Sequence, residues 1–227
     1  MKKIILAALL VSTLKPISAF WVVNFGSANT LAPGKIGFAA GMGGQVVRTG
    51  EPAQTNAFFL IPHAGFRFGL AERFDIGWRL APIPLPYSTV GPGFGANIDV
   101  KWLVNAPDAA WRFALIAGLG GAHVLILDHA RMAYSPNGAF LLSTSLSEST
   151  HVTFMGRYVY LAIPTAPGDA AQNFVHITGI SVGLKYQLHP QVAILPEIGG
   201  YWYEGAVGGV KTSGPGGQYG IMLATSF

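Results

Sequence analysis

The sequence has no cysteine and very little charge. Lys, Arg, Asp and Glu together make up only 11% of its 227 residues, against about 25% in a typical soluble domain. This disfavours a soluble domain, which needs charged side chains to cover its surface. With 51% hydrophobic residues, the chain is also too apolar to be disordered. A membrane protein is therefore the natural class. The missing cysteine excludes a lipoprotein anchored through an N-terminal Cys. Together with the missing His-x-x-Glu-His spacing, it argues against zinc.

The sequence also lacks a run of apolar residues long enough for a transmembrane helix. After Ala19 no uncharged apolar stretch reaches 18 residues. The nearest approach, residues 113–127, contains three glycines and His123. A helical membrane protein of this length would need several good spans, so the helical class is disfavoured.

The first 19 residues have the pattern of an export signal. Lys2 and Lys3 precede an apolar run of 11 residues, which suits a signal peptide and is too short to span a bilayer. We expect cleavage after Ala19, leaving residues 20–227 as one domain. Loss of Lys2, Lys3 and Lys15 lowers the formal net charge from +4 to +1. The basicity therefore belongs largely to the signal, and no nucleic-acid partner is expected.

Segments of about ten residues with alternating character, separated by Gly, Pro, Asn and Asp, are typical of a transmembrane β-barrel. We therefore predict an all-β fold, a closed antiparallel transmembrane barrel of about ten strands. Short and long connections alternate, which predicts short periplasmic turns and longer external loops, with both termini in the periplasm. Because the assignment of residues 20–34 is open, eight and twelve strands are the alternatives. The candidate strands are Lys35–Val47, Phe58–Leu70, Phe74–Pro82, Gly93–Val104, Trp111–Val124, Ala139–Ser147, His151–Ala162, Val175–Leu188, Ala193–Glu204 and Gln218–Phe227.

The last candidate strand has the clearest two-residue period. One of its faces carries Tyr219, Ile221, Leu223, Thr225 and the terminal Phe227. This pattern resembles the C-terminal assembly signal of the small outer-membrane β-barrel proteins of Gram-negative bacteria. The resemblance implies an integral outer-membrane location, contact with outer-membrane lipid and lipopolysaccharide, and recognition by periplasmic chaperones and the barrel-assembly machinery.

The outward faces of the candidate strands place aromatic side chains at both ends. Two such girdles are what amphipathic rings prefer at the two membrane interfaces. The periplasmic girdle comprises Phe68, Phe74, Trp102, Trp111, Tyr186 and Phe227, and the external girdle Phe58, Phe94, Phe140, Tyr160, Trp202 and Tyr219.

The inward faces carry six cations and three anions, a net charge of +3. An unpaired buried charge is costly, so we expect a salt-bridge network in a lumen filled by side chains, as in other small barrels. This favours a mainly structural or interaction role. A narrow, anion-preferring passive pore is the alternative, because charged rings set pore selectivity. The nine residues are Arg67, Asp75, Arg79, Asp99, Lys101, Arg112, Arg157, Lys185 and Glu197.

Two features of the candidate strands fit a closed barrel less well. Pro62 and Pro196 lie inside them, and a barrel has no free edge to accommodate a residue without an N–H. We expect a bulge at each proline, or a strand that begins one residue later. Phe20–Phe25 is apolar enough for a strand, whereas Ser27–Gly34 has the composition of a loop.

A lipid-modifying enzyme is the second alternative. His123 is expected on the lipid-facing side of an external strand end, and His129 and Ser135 are expected together in the longest loop. Such an arrangement would suit an outer-leaflet lipid site. No nucleophile motif accompanies it, so we expect neither an enzyme nor a cofactor.

Overall fold

The computed structural model describes residues 26–49, 55–83, 93–126, 129–162, 164, 173–207 and 210–227. The predicted signal peptide and the candidate strand at residues 20–25 lie outside these ranges. No helix in the described ranges is long and apolar enough to cross a membrane.

Ten antiparallel strands close into one barrel. Each strand pairs with its neighbours in the sequence, and β1 pairs with β10 to complete the ring. The predicted fold class and strand number are confirmed, and the alternatives of eight and twelve strands are not observed. The strands are β1 Ile36–Thr49, β2 Thr55–Ala71, β3 Phe74–Ile83, β4 Gly93–Leu103, β5 Trp111–Ile126, β6 His129–Ser145, β7 Thr150–Ala162, β8 Phe174–His189, β9 Val192–Val207 and β10 Val210–Ser226.

Alternation between the two faces explains why these segments form strands. In β8, Ile180 is 72% exposed whereas the next residue, Ser181, is only 5% exposed. Successive side chains of a strand point to opposite faces, so the apolar residue faces outward and the small polar residue faces the lumen. In β7, Phe154 and Tyr158 are exposed and Met155 is buried. The outer surface is thus a continuous apolar belt, as lipid requires.

Aromatic side chains lie at both ends of this belt. All six members of the predicted periplasmic girdle are exposed on the outer surface. At the external end Trp202 is exposed and Tyr160 is half-buried. Phe140 and Tyr219 are also exposed, but Phe140 lies opposite Leu115 and Gly156, and Tyr219 lies opposite Gly44 and Ile198. Because β6 and β10 reach further than predicted, these two rings lie at mid-height of the barrel and not in the predicted external girdle. The side chains of Phe58 and Phe94 lie outside the described part of the molecule.

Two strands extend much further toward the external end than predicted. β6 begins at His129 rather than Ala139, and β10 begins at Val210 rather than Gln218. Glycine and proline in these stretches indicated loops. In the barrel, each stretch pairs along its length with a neighbouring strand, β5 or β9. Pairing with a neighbour outweighs this weak local preference.

The prolines lie where a ladder is interrupted or has ended, so the expected bulges are not needed. Pro62 pairs with β1, but the described β2–β3 ladder begins only at Ala64. The β8–β9 ladder skips two pairs at Pro196 without changing register. The β6–β7 ladder does the same at Pro136. A missing N–H at these points removes no ladder hydrogen bond.

Residues 26–35 precede β1 without forming a strand, and they connect to it through a tight turn. Ala32 accepts a hydrogen bond from the Lys35 N–H at 3.0 Å. Pro33 and Gly34 occupy the two central positions, and Gly34 has a φ of 78°. This is the sequence signature of a type II turn, which needs a positive φ at its third residue. The turn reverses the chain at the mouth of the barrel.

Candidate functional site

The lumen is the part of the molecule where polar chemistry is concentrated. We call the end of the barrel that contains connections 72–73, 104–110, 146–149 and 190–191 the periplasmic end. Near this end, β2, β3 and β4 each carry charged side chains that face the lumen, at neighbouring positions in the strand register. Asp75 lies opposite Gly69 of β2 and Lys101 of β4. The antiparallel register therefore brings together charges that are far apart in the sequence.

Four ion pairs link five of the predicted residues. Arg67 contacts both Asp75, at 2.7 Å, and Asp99, at 2.6 Å. Arg79 contacts Asp99 at 3.1 Å, and Lys101 contacts Asp75 at 3.2 Å. Both carboxylate side chains are fully buried. We call these five residues the paired cluster. Its geometry is consistent with the predicted salt-bridge network, because each buried carboxylate has two cationic partners.

A glycine makes room for the paired cluster. Gly77 faces the lumen between Asp75 and Arg79 on β3. A Cβ atom at this position would lie 2.6 Å from Arg67 Nη1 and 3.1 Å from Asp99 Oδ1. The bridging guanidinium therefore occupies the space that a side chain at residue 77 would need.

Residues 26–31 lie inside the lumen beside this cluster; we call them the crossing segment. At one side, the Ala28 N–H donates to Ser143 Oγ of β6 at 2.8 Å. At the other side, the Leu31 N–H donates to Asp75 Oδ2 of β3 at 3.2 Å. The segment thus spans from β3 to β6 inside the barrel.

Further contacts fix the crossing segment. Lys101 Nζ donates to the Asn29 carbonyl at 2.5 Å and to the Ser27 carbonyl at 3.3 Å. Thr30 Oγ1 donates to the Glu72 carbonyl at 2.7 Å. Lys101 therefore satisfies both a buried carboxylate and the backbone of the segment, which ties the network to the segment.

The crossing segment also makes an apolar contact with the barrel wall through Ala28. The Ala28 side chain is fully buried against inward residues of β5, β6 and β7. Only a small side chain fits there. The contacting residues are Ala114, Ile116, Leu141 and Met155.

The other four predicted charges lie on a different part of the inner wall. Glu197 of β9 is buried and engaged in interactions. Arg157 of β7 has a buried Nη1 with no hydrogen-bond partner among the described residues. Arg112 and Lys185 lie at the periplasmic ends of β5 and β8. The structure does not bring these four into the paired cluster.

The sequence prediction missed the uncharged polar members of the lumen. Asn137 Nδ2 donates to Asn97 Oδ1 at 2.9 Å, and Asn97 Nδ2 donates to Asp99 at 3.3 Å. Ser143 and Thr153 share a hydrogen bond of 2.7 Å. Strand alternation, applied to all polar residues rather than charges alone, would have identified them. The crossing segment gave no comparable signal, since its small polar residues are also typical of a surface loop.

A cavity of about 290 Å³ lies at the periplasmic end, between the crossing segment and the wall formed by β8, β9, β10 and β1. Its lining includes Lys101, Lys185, Gln187, Gln191 and Met222. Its lining combines polar and apolar residues.

The residues of the hypothetical lipid site do not form one site. His123 is exposed on the outer surface, whereas Ser135 is fully buried and faces the lumen. His129 is the first residue of β6 rather than part of a long loop, and its side chain lies outside the described part of the molecule. Within the described ranges, no group of three or more His, Cys, Asp or Glu residues could hold a metal ion.

Neither a known protein family nor a curated protein sequence matches the chain. Solved structures do resemble it. An outer-membrane channel from Pseudomonas putida F1 has 12% identity and a TM-score of 0.51, with 90% of this chain and 100% of the channel covered. The outer-membrane protease OmpT from Escherichia coli has 12% identity and a TM-score of 0.49, with 88% of this chain and 100% of the protease covered. The likeness to the channel shows that the chain has the outer-membrane β-barrel fold.

Proposed function

We propose that the protein is an integral outer-membrane barrel whose lumen is sealed near its periplasmic end, with a mainly structural or interaction role. The observation that carries this proposal is the crossing segment. It runs inside the lumen from Asp75 of β3 to Ser143 of β6 and is held at both sides by side chains of the wall.

The energetics support a stably seated segment. Neutral hydrogen bonds contribute about 0.5–1.5 kcal/mol each, and bonds to charged groups about 1.5–3 kcal/mol. Asp75 and Lys101 supply charged partners, and Ser143 a neutral one. Withdrawing the segment would leave the Lys101 ammonium with only one of its partners. These contacts support the proposed sealed resting state.

The outer surface supports insertion into the outer membrane. Its apolar belt and the exposed girdles would contact lipid and lipopolysaccharide. The proposal includes export through a signal peptide, residues 1–19, and recognition of the last strand by periplasmic chaperones and the barrel-assembly machinery. Tyr219, Ile221, Leu223 and Phe227 are exposed on the outer surface of β10, and Thr225 is half-buried. Exchange of Phe227 for Ser should then reduce the yield of heat-modifiable barrel in outer-membrane fractions, whereas Leu188→Ser, at the exposed end of β8, should not.

Conductance in planar lipid bilayers tests the sealed lumen. We expect the refolded protein to give no steady conductance. Ala28→Arg should open the lumen, because a large side chain cannot fit in the buried position of Ala28. Ala32→Arg is the matched control, since Ala32 is exposed and the same charge is added. A steady open channel in the unmodified protein, or equal conductance of both variants, would contradict a seal at this segment.

A narrow anion-preferring pore is the second candidate. The excess of inward cations favours it, since a cationic lumen selects anions. The reversal potential of the unmodified protein, or of an opened Ala28→Arg barrel, in a potassium chloride gradient measures selectivity. Steady anion-selective current without any substitution would favour the pore over the sealed barrel. Cation selectivity would exclude it.

A further inference from the structure

Three basic side chains lie near one another at the periplasmic mouth, on the wall formed by β5 to β8. The register places Lys185 of β8 directly opposite His151 of β7, and His151 opposite Ser145 of β6. Arg112 of β5 reaches the same point, because its Nη2 donates to Ser145 Oγ at 2.7 Å. Ser145 Oγ is in turn 2.9 Å from His151 Nδ1. We call Arg112, Ser145, His151 and Lys185 the mouth cluster.

The mouth cluster holds no carboxylate. Within the described residues, neither Arg112 nor Lys185 forms an ion pair, since all four ion pairs belong to β2, β3 and β4. The nearby turns contain Asp108 and Glu148, both exposed, and neither forms an ion pair within the described residues. The cluster is therefore a local excess of positive charge, close to the lumen wall.

One donor of the mouth cluster is buried without a partner. Arg112 Nε is inaccessible to solvent and has no hydrogen-bond partner among the described residues. Leaving a buried charged donor unsatisfied is unfavourable by a few kcal/mol. This donor is satisfied only when the guanidinium rotates toward an accessible acceptor. A guanidinium can offer Nε and an Nη as a fork to two oxygens of one anion.

The mouth cluster borders an accessible space. Lys185 lines the periplasmic cavity of about 290 Å³, together with the side chains of Gln187 and Gln191. Arg67 and Lys101 line the same cavity, but Asp75 and Asp99 already neutralise them. The Gln187 amide nitrogen already donates to the carbonyls of His189 and Val192, so of the two glutamines only Gln191 adds an uncharged amide to this space.

We propose that the mouth cluster binds a small oxyanion of the phosphate class, either inorganic phosphate or the headgroup of a phosphomonoester lipid. Arg112 supplies the fork after its guanidinium rotates, Lys185 supplies a compact positive charge, and His151 and Ser145 hold the guanidinium near the mouth. A tetrahedral oxyanion matches several convergent donors better than a chloride ion does. This site lies on the wall formed by β5 to β8 and requires neither a sealed nor an open lumen.

Isothermal titration of the refolded full chain in zwitterionic micelles tests the site with inorganic phosphate at fixed ionic strength. Saturable binding at one site is expected. Arg112→Gln and Lys185→Gln should each weaken it about tenfold or more, because each removes hydrogen bonds to a charged partner. Arg73→Gln is the matched control, since Arg73 is an exposed cation of a periplasmic turn. Unchanged heat-modifiable gel migration will show that each variant folds.

A short-chain phosphatidic acid, dihexanoyl glycerophosphate, distinguishes the two sources. If it binds more tightly than inorganic phosphate and shows the same dependence on Arg112, the ligand is a lipid headgroup. If only inorganic phosphate binds, the ligand is a free anion. Heat that does not saturate, or equal weakening by Arg73→Gln, would overturn the site. A conducting barrel would contradict the sealed lumen without affecting this result, so the two proposals fail separately.

Discussion

The inner surface of the barrel contains two walls that carry similar residues in different settings. Toward its periplasmic end β4 carries Lys101-Trp102 and β8 carries Lys185-Tyr186, so each presents an inward cation beside an outward aromatic. Lys101 is 5% exposed, pairs with Asp75 and donates to the crossing segment. Lys185 is half-buried and forms no ion pair within the described residues.

Lys101 and Lys185 differ in burial and pairing because of the neighbouring strand and the crossing segment. β3 places a carboxylate directly opposite Lys101, whereas β7 places His151 opposite Lys185. A buried cation is tolerable only with a partner, so Lys101 is structural. Lys185 lies at a wetter position and remains available for a ligand. Two lysines, each followed by an outward aromatic residue, thus acquire different roles from their surroundings.

The largest loss of stability is expected from removing Asp75, the carboxylate that Arg67 and Lys101 of the paired cluster share. Asp75→Ala leaves Arg67 and Lys101 without one common partner and removes the acceptor of the Leu31 N–H. Breaking a buried pair costs about 3–5 kcal/mol. Urea unfolding of the refolded barrel in lipid vesicles measures this loss in the free energy of unfolding. Glu148→Ala, in an exposed turn, is the control, and an equal loss in both variants would show that Asp75 is not structural.

The two lysines compare the walls directly. Lys101→Met should lower the free energy of unfolding by about 2 kcal/mol, because it removes hydrogen bonds to Asp75 and to the crossing segment. Lys185→Met should change it by less than about 1 kcal/mol, as for an exposed charge. The same urea titration measures both variants. Similar losses in the free energy of unfolding for the two variants would mean that Lys101 is no more important for stability than Lys185.

Glycine substitutions test how tightly each wall is packed. Gly77→Ala should be less stable by about 1–3 kcal/mol, the usual effect of overpacking, since the new Cβ would lie against the bridging Arg67. Gly183→Ala on β8 should be nearly neutral, because its nearest neighbour, the Pro196 carbonyl, would lie 3.5 Å away. The temperature at which each variant loses its folded, heat-modifiable form on gels ranks the two variants. A neutral Gly77→Ala would show that the guanidinium can move aside.

The smallest effect concerns the anchor of the crossing segment. Ser143→Ala removes the acceptor of the Ala28 N–H and should be less stable by about 1 kcal/mol. Hydrogen exchange at the Ala28 amide should accelerate accordingly. Ser181→Ala is the control, because Ser181 Oγ is buried with no hydrogen-bond partner among the described residues. Unchanged exchange in Ser143→Ala would mean that other contacts hold the segment.

Much of the fold could be predicted because alternate residues of a strand face different environments, and their polarity differs accordingly. The alternation of Ile180 with Ser181, or of Tyr219 with Gln218, follows from lipid on one side and lumen on the other. The extents of β6 and β10 could not be predicted, since Pro136 and Pro215 reduce local strand preference. Their pairing with β5 and β9 compensates for it.

The contacts within the lumen could be predicted from the sequence less well than the strands. The direction of Lys101 and Asp75 follows from alternation, but their pairing depends on the register between β3 and β4. The position of Ala28 depends on a turn at Gly34 and on a pocket built from three strands. No local pattern specifies contacts between residues so distant in the chain.

The sequence by itself determined the class of protein, the faces of its strands and the inward excess of cations. These properties follow from local periodicity and composition, which each segment carries independently. Only the tertiary structure decided which cations are neutralised, which remain for an anion, and where residues 26–31 lie. Those outcomes depend on distances between strands, and closure of the ring between β1 and β10 sets these distances.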